Sequence, residues 1–249
     1  MVPFVKYQWV VKEVISMRVK LTRRLQKIAD QVEQGSVVAD IGTDHGYIPI
    51  YLLENKISEY VIAGDINMKP LESAEANLQR YGFSNKAETR LGSGLSVLKE
   101  GEVDTVIIAG MGGLLISDLL ESSKNIVKKI KTFILQPMQA QMELRKYLIQ
   151  NGFTIKKDIL VKEDHHIYEI FVAEHGQQEV ENTIYYETGF HIQSNAKDLA
   201  EEFILGKIRA TKQVIENISQ NASETPVEKL KEMERKLKKL EEVLLCLQK

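Results

Sequence analysis

The feature that most constrains this chain is a change in how its strand-like runs are joined. Between residues 37 and 150, short apolar runs alternate with helical stretches. Then Phe153 to Val161 and His166 to Ala173 follow each other with only Lys162-Glu163-Asp164-His165 between them. Consecutive parallel strands need a crossover of about a dozen residues or more, so a link this short makes an antiparallel hairpin. The expected architecture is therefore a parallel sheet with helices on both faces, closed by a hairpin.

The runs can be placed one by one. Val37 to Ile41, Tyr60 to Asp65, 86–91, Val103 to Ala109 and Thr132 to Gln136 read as strands, the last stopped by Pro137. Helices are expected over 46–55, 69–80, 113–122 and 139–150, with Pro70 in a first turn, where proline is favoured. Ahead of them, Leu21, Leu25, Ile28 and Val32 form one helical stripe, ended by Gly35. Arg23, Arg24 and Lys27 fall off that stripe and are expected to face outward.

After residue 175 the pattern shifts. Ile204, Ile208, Thr211, Ile215 and Ile218 make one seam, and Leu230, Met233, Leu237, Leu240, Leu244 and Leu247 a second. Asn221 to Pro226 is turn-like, with Ser223 or Thr225 as N-cap, so the expectation is an antiparallel coiled-coil hairpin within one chain. Pairing within the chain makes a monomer the expected state. Cys246 beside the seam reads as a buried structural thiol. Residues 1–17 form an N-terminal extension of uncertain origin: either Met17 is the biological start, or the stretch holding Trp9 is an extra helix. The division is thus 1–17, a domain over 18–175 and a helical domain over 176–249.

Composition excludes several classes. A net charge of −2 leaves no globally basic coat for nucleic acid, although a basic face remains open. One cysteine allows neither an intrachain disulfide nor a cysteine-cluster metal site, and no metal is expected. No apolar run approaches the ~20 residues that span a bilayer, so a cytoplasmic protein without membrane contact is expected.

Chemistry concentrates in the loops after the strands. A doubly wound sheet that ends in an antiparallel hairpin is the pattern of Rossmann-like methyltransferases, whereas dinucleotide dehydrogenases continue with parallel units. The first loop, Asp40-Ile41-Gly42-Thr43-Asp44-His45-Gly46-Tyr47, lacks the G-x-G-x-x-G of dinucleotide binding. Its carboxylates repel a pyrophosphate but suit S-adenosylmethionine, which carries an ammonium and a sulfonium and no phosphate. Asp65 ends the second strand, where an acid can accept both ribose hydroxyls, with Ile66 beside it. Leu91-Gly92-Ser93-Gly94-Leu95 is placed to lie along an adenine ring. Ala109-Gly110-Met111-Gly112-Gly113 lets a planar group approach the backbone. The Asn/Asp-Pro-Pro-aromatic motif that grips exocyclic amines is missing there, which favours a ring nitrogen as acceptor. Gln136-Pro137-Met138 points to the same edge. His165 and His166 sit at the hairpin turn and point opposite ways, so they read as surface residues.

The stretch from Leu21 to Glu174 resembles the bacterial tRNA (adenine-22-N1)-methyltransferase family. The resemblance rests on Leu21-Thr22-Arg23-Arg24-Leu25, Val38 to Tyr47, Gly64-Asp65-Ile66-Asn67, Ala109 to Gly113 and Leu135-Gln136-Pro137. It implies S-adenosylmethionine as donor and N1 of an adenine in the tRNA D-arm as acceptor. The cofactor would then lie on Asp40, Gly42, Thr43, Gly46, Asp65, Ile66, Ser93, Gly94, Ala109, Gly110 and Met111. Asp44, His45 and Tyr47 would position the acceptor base, and Arg23, Arg24 and Lys27 would hold tRNA. A small-molecule methyltransferase and an inactive docking module remain the alternatives. A nicotinamide-dependent oxidoreductase is more distant.

Overall fold

A computed structural model of the chain describes residues 18–220 and 227–248. Its elements in order are α1 (Arg23–Ala29), β1 (Ser36–Ile41), α2 (Tyr47–Glu54), β2 (Ser58–Asp65), α3 (Met68–Arg80) and β3 (Ala87–Leu91). Then come β4 (Thr105–Gly112), α4 (Gly113–Ser122), the short α5 (Lys124–Val127), β5 (Thr132–Gln139) and α6 (Gln141–Gln150). The hairpin β6 (Phe153–Glu163) and β7 (His166–His175) follows, then the short α7 (Tyr185–Thr188) and two long helices, α8 (Lys197–Gln220) and α9 (Val227–Gln248).

The strands form one sheet in the order β3-β2-β1-β4-β5-β7-β6. β1 to β5 pair in parallel, and β7 pairs antiparallel with both β5 and β6. The hairpin turns on Asp164 and His165 alone, with Asp164 in the left-handed region at φ 54°. The expected mixed architecture is therefore what the chain adopts.

Side chains alternate between the two faces of the sheet, as the period of a strand requires. Ala39, Ile41, Ile62, Val106, Ile108, Phe133, Leu135 and Phe171 face a core completed by Ile116 and Leu120 of α4 and Leu144 and Leu148 of α6. Val38, Val61, Ile107, Ile134 and Ile170 face the other core, against Ile28 of α1, Leu52 of α2 and Leu78 of α3. Such doubly covered strands read as near-continuous apolar runs, which is why they were visible in the sequence.

Three expectations are corrected. The first helix ends at Ala29, with Asp30 as its C-cap; Gly35, at φ 85°, instead turns the chain into β1. Pro137 does not stop β5. The β7 ladder ends at Leu135, so beyond it β5 has a strand on one side only, and a proline without an N–H is tolerated. Cys246 is exposed, because it lies beside the seam residues Val243 and Leu247 and points away from them.

α8 and α9 run antiparallel: the Lys197 amine reaches the Gln248 carbonyl at 3.1 Å, and Lys212 lies 3.4 Å from Glu241. Ile204, Ile208, Leu240, Val243 and Leu247 share a third core with Leu160 of β6 and Ile184. The readings of residues 1–17 and of the turn Asn221–Pro226 fall outside the described residues.

Candidate functional site

The strand order reverses between β1 and β4, so the loops leaving their carboxyl ends diverge and open a crevice. The resulting cleft of about 430 Å³ is lined by Asp40, Gly42, Thr43, Asp44, His45, Tyr47, Ala109 and Gly110. Lys20, Thr22 and Arg24, at the entry to α1, close one side.

The first loop owes its shape to two glycines. Gly42 has φ 80°, and a Cβ there would run into Met111 Cε of the facing loop. Its N–H and that of Thr43 donate to the Gly64 carbonyl at 2.8 and 3.1 Å, tying the loop to β2. Gly46, at φ 68°, caps α2, and a Cβ there would lie 3.2 Å from Ala74 Cβ. Both positions combine a backbone that disfavours other residues with a close approach.

Acidic groups gather here: Asp40 and Asp44 line the cleft, which Lys20 and Arg24 close on one side, and Asp65 stands on the neighbouring strand end. Asp40 is 6% exposed. Burial pushes its pKa up to about 6; the nearby Thr43 hydroxyl offsets part of that, and the Asp65 charge adds to it. Thr43 Oγ1 itself is buried without a well-formed hydrogen bond, the sole such side-chain atom among the described residues. Asp65 is half-buried and accepts the Asn67 N–H on Oδ1 at 2.7 Å. Asp44 is exposed, and its Oδ2 lies 3.3 Å from His45 Nε2. The His45 and Tyr47 rings sit 5.4 Å apart at the cleft mouth.

Beyond the cleft the strand ends present apolar side chains to solvent. Ile66 and Leu91 are more than half exposed, and Leu91 lies opposite Asp65 in the β2–β3 register. Ser93 is exposed, and Gly94 opens a short 3₁₀ turn. Leu114, Leu115 and Met138 are exposed next to Gly110 to Gly113. Among the described residues no group of three or more His, Cys, Asp or Glu side chains is placed to hold a metal.

The sequence-expected residues therefore separate into three sets. Asp40, Gly42, Thr43, Asp44, His45, Tyr47, Ala109 and Gly110 meet in one cleft. Asp65, Ile66, Ser93 and Gly94 stand on the neighbouring strand ends, and Gly46 and Met111 shape the loops. Arg23 and Lys27 are exposed on α1, away from the cleft. Arg24 is the exception to the outward face expected for this trio. Its Nη1 donates to Gln136 Oε1 at 2.6 Å, and its guanidinium lies over the Tyr168 ring at 5.4 Å. Reading the stripe as Leu21, Arg24, Leu25 and Ile28, spaced i, i+3, i+4, i+7, would have found it, because that whole arc of a helix faces the core.

Sequence reasoning also missed Glu163, which docks the start of α1. Its Oε2 accepts the Arg24 N–H at 2.8 Å. Burial alone would raise its pKa. The N–H groups of Arg24 and Arg23, the Thr22 hydroxyl and the Arg24 charge together bring it below the ordinary carboxylate value. No local pattern marks a carboxylate that caps a helix more than 130 residues earlier.

Around this cleft stand carboxylates that pair with no lysine or arginine among the described residues, a buried hydroxyl beside one of them, and an apolar margin. That combination suits a ligand with a cationic end, a diol and a planar ring. The methyltransferase-domain family matches residues 21–171. Fold and site together define a methyltransferase.

The chain is 34% identical over 90% of its length to the tRNA (adenine(22)-N(1))-methyltransferase of Bacillus subtilis, and covers 97% of that protein. It is also similar to Sp1610 of Streptococcus pneumoniae, whose structure holds S-adenosyl-L-methionine: 30% identity, 90% of this chain and 100% of that one, TM-score 0.79. A third likeness is to TrmK of M. capricolum, solved with S-adenosyl-homocysteine: 26% identity, 90% and 97% of the two chains, TM-score 0.75. The chain belongs to the tRNA (adenine(22)-N(1))-methyltransferase family.

Proposed function

We propose that this protein transfers the methyl group of S-adenosylmethionine to N1 of adenine 22 in tRNA. The observation that carries the reading is the site itself: Asp40 on the cleft and Asp65 on the neighbouring strand end make no ion pair among the described residues, and the buried Thr43 hydroxyl lies beside Asp40, in a chain of this family. The bound donor supplies an electrophilic methyl group on a sulfonium.

The residues divide the work. Asp40, Gly42, Thr43 and Gly46 surround the cationic amino-acid end. Asp65 keeps Oδ2 for the ribose hydroxyls while Oδ1 is held by Asn67. Ile66, Ser93 and Gly94 border the cofactor's adenine ring. Ala109, Gly110 and Met111 bring backbone close to the reacting centre. N1 of adenine carries its own lone pair, so no general base is needed and catalysis is largely positioning. The product ring is cationic, so the Asp44 carboxylate and the carbonyls of residues 109–112 stabilise the developing charge. N1 lies on the Watson–Crick edge, so the base leaves the stack to react, and His45 and Tyr47 at the mouth offer rings against it. Arg23 and Lys27, exposed on α1, meet phosphates. The reading includes a monomer at work in the cytoplasm, the state that light scattering of the pure protein checks.

The test is direct. The protein is incubated with S-adenosylmethionine and unmodified tRNA, and methylated nucleosides are quantified by mass spectrometry and mapped. 1-Methyladenosine at position 22 is expected. Another methylated base would break the substrate assignment while keeping the chemistry, and no methylation with the cofactor bound would point to a small-molecule acceptor or a docking protein.

A further inference from the structure

Arg24 differs in kind from its neighbours Arg23 and Lys27. It is half-buried, and three separate contacts fix it. Its backbone N–H is held by Glu163 of β6, its guanidinium lies on Tyr168 of β7, and Nη1 meets Gln136 Oε1 of β5, just past the end of the β5–β7 ladder. Gln136 is fully buried. Its other side-chain atom, Nε2, donates to the Pro137 carbonyl at 2.9 Å and approaches Met138 Sδ at 3.6 Å. Gln136 pairs in register with Ala109, and Pro137 with Met111, so this side chain braces the strand ends that form the acceptor side of the cleft.

We infer that Arg24 is a positioning residue: it acts through Gln136, the register partner of Ala109, to set the strand end whose Ala109 and Gly110 line the cleft, and does not serve as a phosphate anchor. The inference rests on the reading of this cleft as the methyl-transfer site. Its physical basis is simple. Without Arg24, Gln136 Oε1 becomes a buried acceptor with no donor, and the strand end rearranges to find one. A displacement of about 1 Å at a reacting centre costs on the order of 10²-fold in rate. A lysine does not replace the guanidinium, because it lacks the planar fork that stacks on Tyr168 while donating in a fixed direction. On a phosphate, by contrast, lysine keeps most of the charge interaction.

The experiment compares full-length wild type with Arg24→Met, Arg24→Lys, Gln136→Leu, the Arg24→Met/Gln136→Leu double variant and Arg23→Ala. For each we measure kcat for 1-methyladenosine formation, tRNA Kd against salt, cofactor affinity and melting temperature. Arg24→Met and Arg24→Lys are both expected to lower kcat by roughly 10- to 100-fold, with tRNA Kd within about twofold and the salt slope unchanged. The double variant is expected to be no slower than Arg24→Met, because the two side chains form one unit. Arg23→Ala is expected to do the opposite, weakening tRNA binding and reducing the salt slope by about one. Should Arg24→Met fail to fold, Arg24→Lys and Gln136→Leu carry the same comparison. The inference is overturned if Arg24→Lys behaves as wild type, if Arg24→Met weakens tRNA binding and flattens the salt slope at unchanged kcat, or if the two single losses multiply. A wild type that binds cofactor yet forms no 1-methyladenosine overturns the functional reading first, and this inference with it.

Discussion

Two groups of buried or half-buried acids in this molecule are treated in opposite ways. Where the sheet meets the C-terminal helices, acids are matched with bases. Arg145 of α6 is 1% exposed and donates from Nε to Asp158 at 2.9 Å and from Nη2 to Glu169 at 2.6 Å. Nη1 reaches the Tyr186 carbonyl at 3.1 Å, and the guanidinium lies 4.2 Å over the Phe171 ring. Lys207 of α8 and Lys236 of α9 reach Glu187 at 3.3 and 3.1 Å. At the cleft, Asp40 and, on the neighbouring strand end, Asp65 lie close enough to repel each other, and neither makes an ion pair among the described residues.

The titration behaviour follows. Burial works against the Arg145 charge, but Asp158 and Glu169 outweigh it and bind its proton more firmly than usual. Burial would raise Glu187, yet Lys207 and Lys236 bring it below the ordinary value. Asp40 has no such partner and is pushed up to about 6. A matched network holds two parts of a fold together; an unmatched carboxylate costs stability and is retained where a ligand brings the missing charge.

The largest expected effect is at the matched network. Arg145→Met leaves Asp158 and Glu169 buried beside an apolar side chain, and should cost about 3–5 kcal/mol in chemical denaturation. A loss below about 1 kcal/mol would show that the network is not what joins the helices to the sheet. Cofactor affinity of the fraction that remains folded should be unchanged, since the network lies away from the cleft.

The second effect has the reverse signature. Asp40→Asn should leave the cofactor-free protein at least as stable as wild type while weakening S-adenosylmethionine binding by about tenfold or more, as expected for a lost charge-assisted contact. The pH dependence has a definite sign. The Asp40 carboxyl is raised from 3.8 to about 6, so the cofactor-free fold favours the neutral form. Its ionisation therefore opposes folding above pH 6, and that cost disappears as pH falls towards 3.8. Cofactor affinity should move the other way and weaken as pH falls through about 6, because the carboxylate must be ionised to meet the ammonium. Calorimetry between pH 5 and pH 8 checks this; affinity that is flat over that range would place the cofactor's charge elsewhere.

The same contrast explains what the sequence reveals. β1, β2, β4 and β5 are visible because each contains a local apolar run, which β3 (Ala87–Leu91) lacks, and the glycine loops because left-handed backbone and close approach demand particular residues at adjacent positions. The hairpin is legible from the length of one link. The charge network is not. Arg145, Asp158, Glu169, Glu187, Lys207 and Lys236 span more than 90 residues with no spacing rule, and each taken singly reads as a solvated surface residue. The short helices α5 and α7 are too brief to carry a period. Arg24 is hidden for another reason: apolar residues alone define the stripe, although its arc includes position 24.

The smallest effect probes the site most finely. Thr43 Oγ1 is buried without a well-formed partner, whereas the other buried side-chain polar atoms among the described residues are satisfied. A structural hydroxyl lost to Thr43→Val would leave a partner unsatisfied and destabilise the protein by about 1–3 kcal/mol. Here little is lost in the cofactor-free state, since valine preserves the shape and the one group the hydroxyl favours, the ionised Asp40 carboxylate, is already disfavoured by burial. The expected change in melting free energy is therefore within about 0.5 kcal/mol, or slightly stabilising. In the bound state the hydroxyl gains the amino-acid end of the cofactor, so affinity should fall by a few-fold, equivalent to one neutral hydrogen bond. Paired melting curves with and without S-adenosylmethionine separate the two states in one experiment. Equal destabilisation in both would make Thr43 part of the scaffold, whereas a loss confined to the bound state makes it a ligand contact, the role proposed for Asp40.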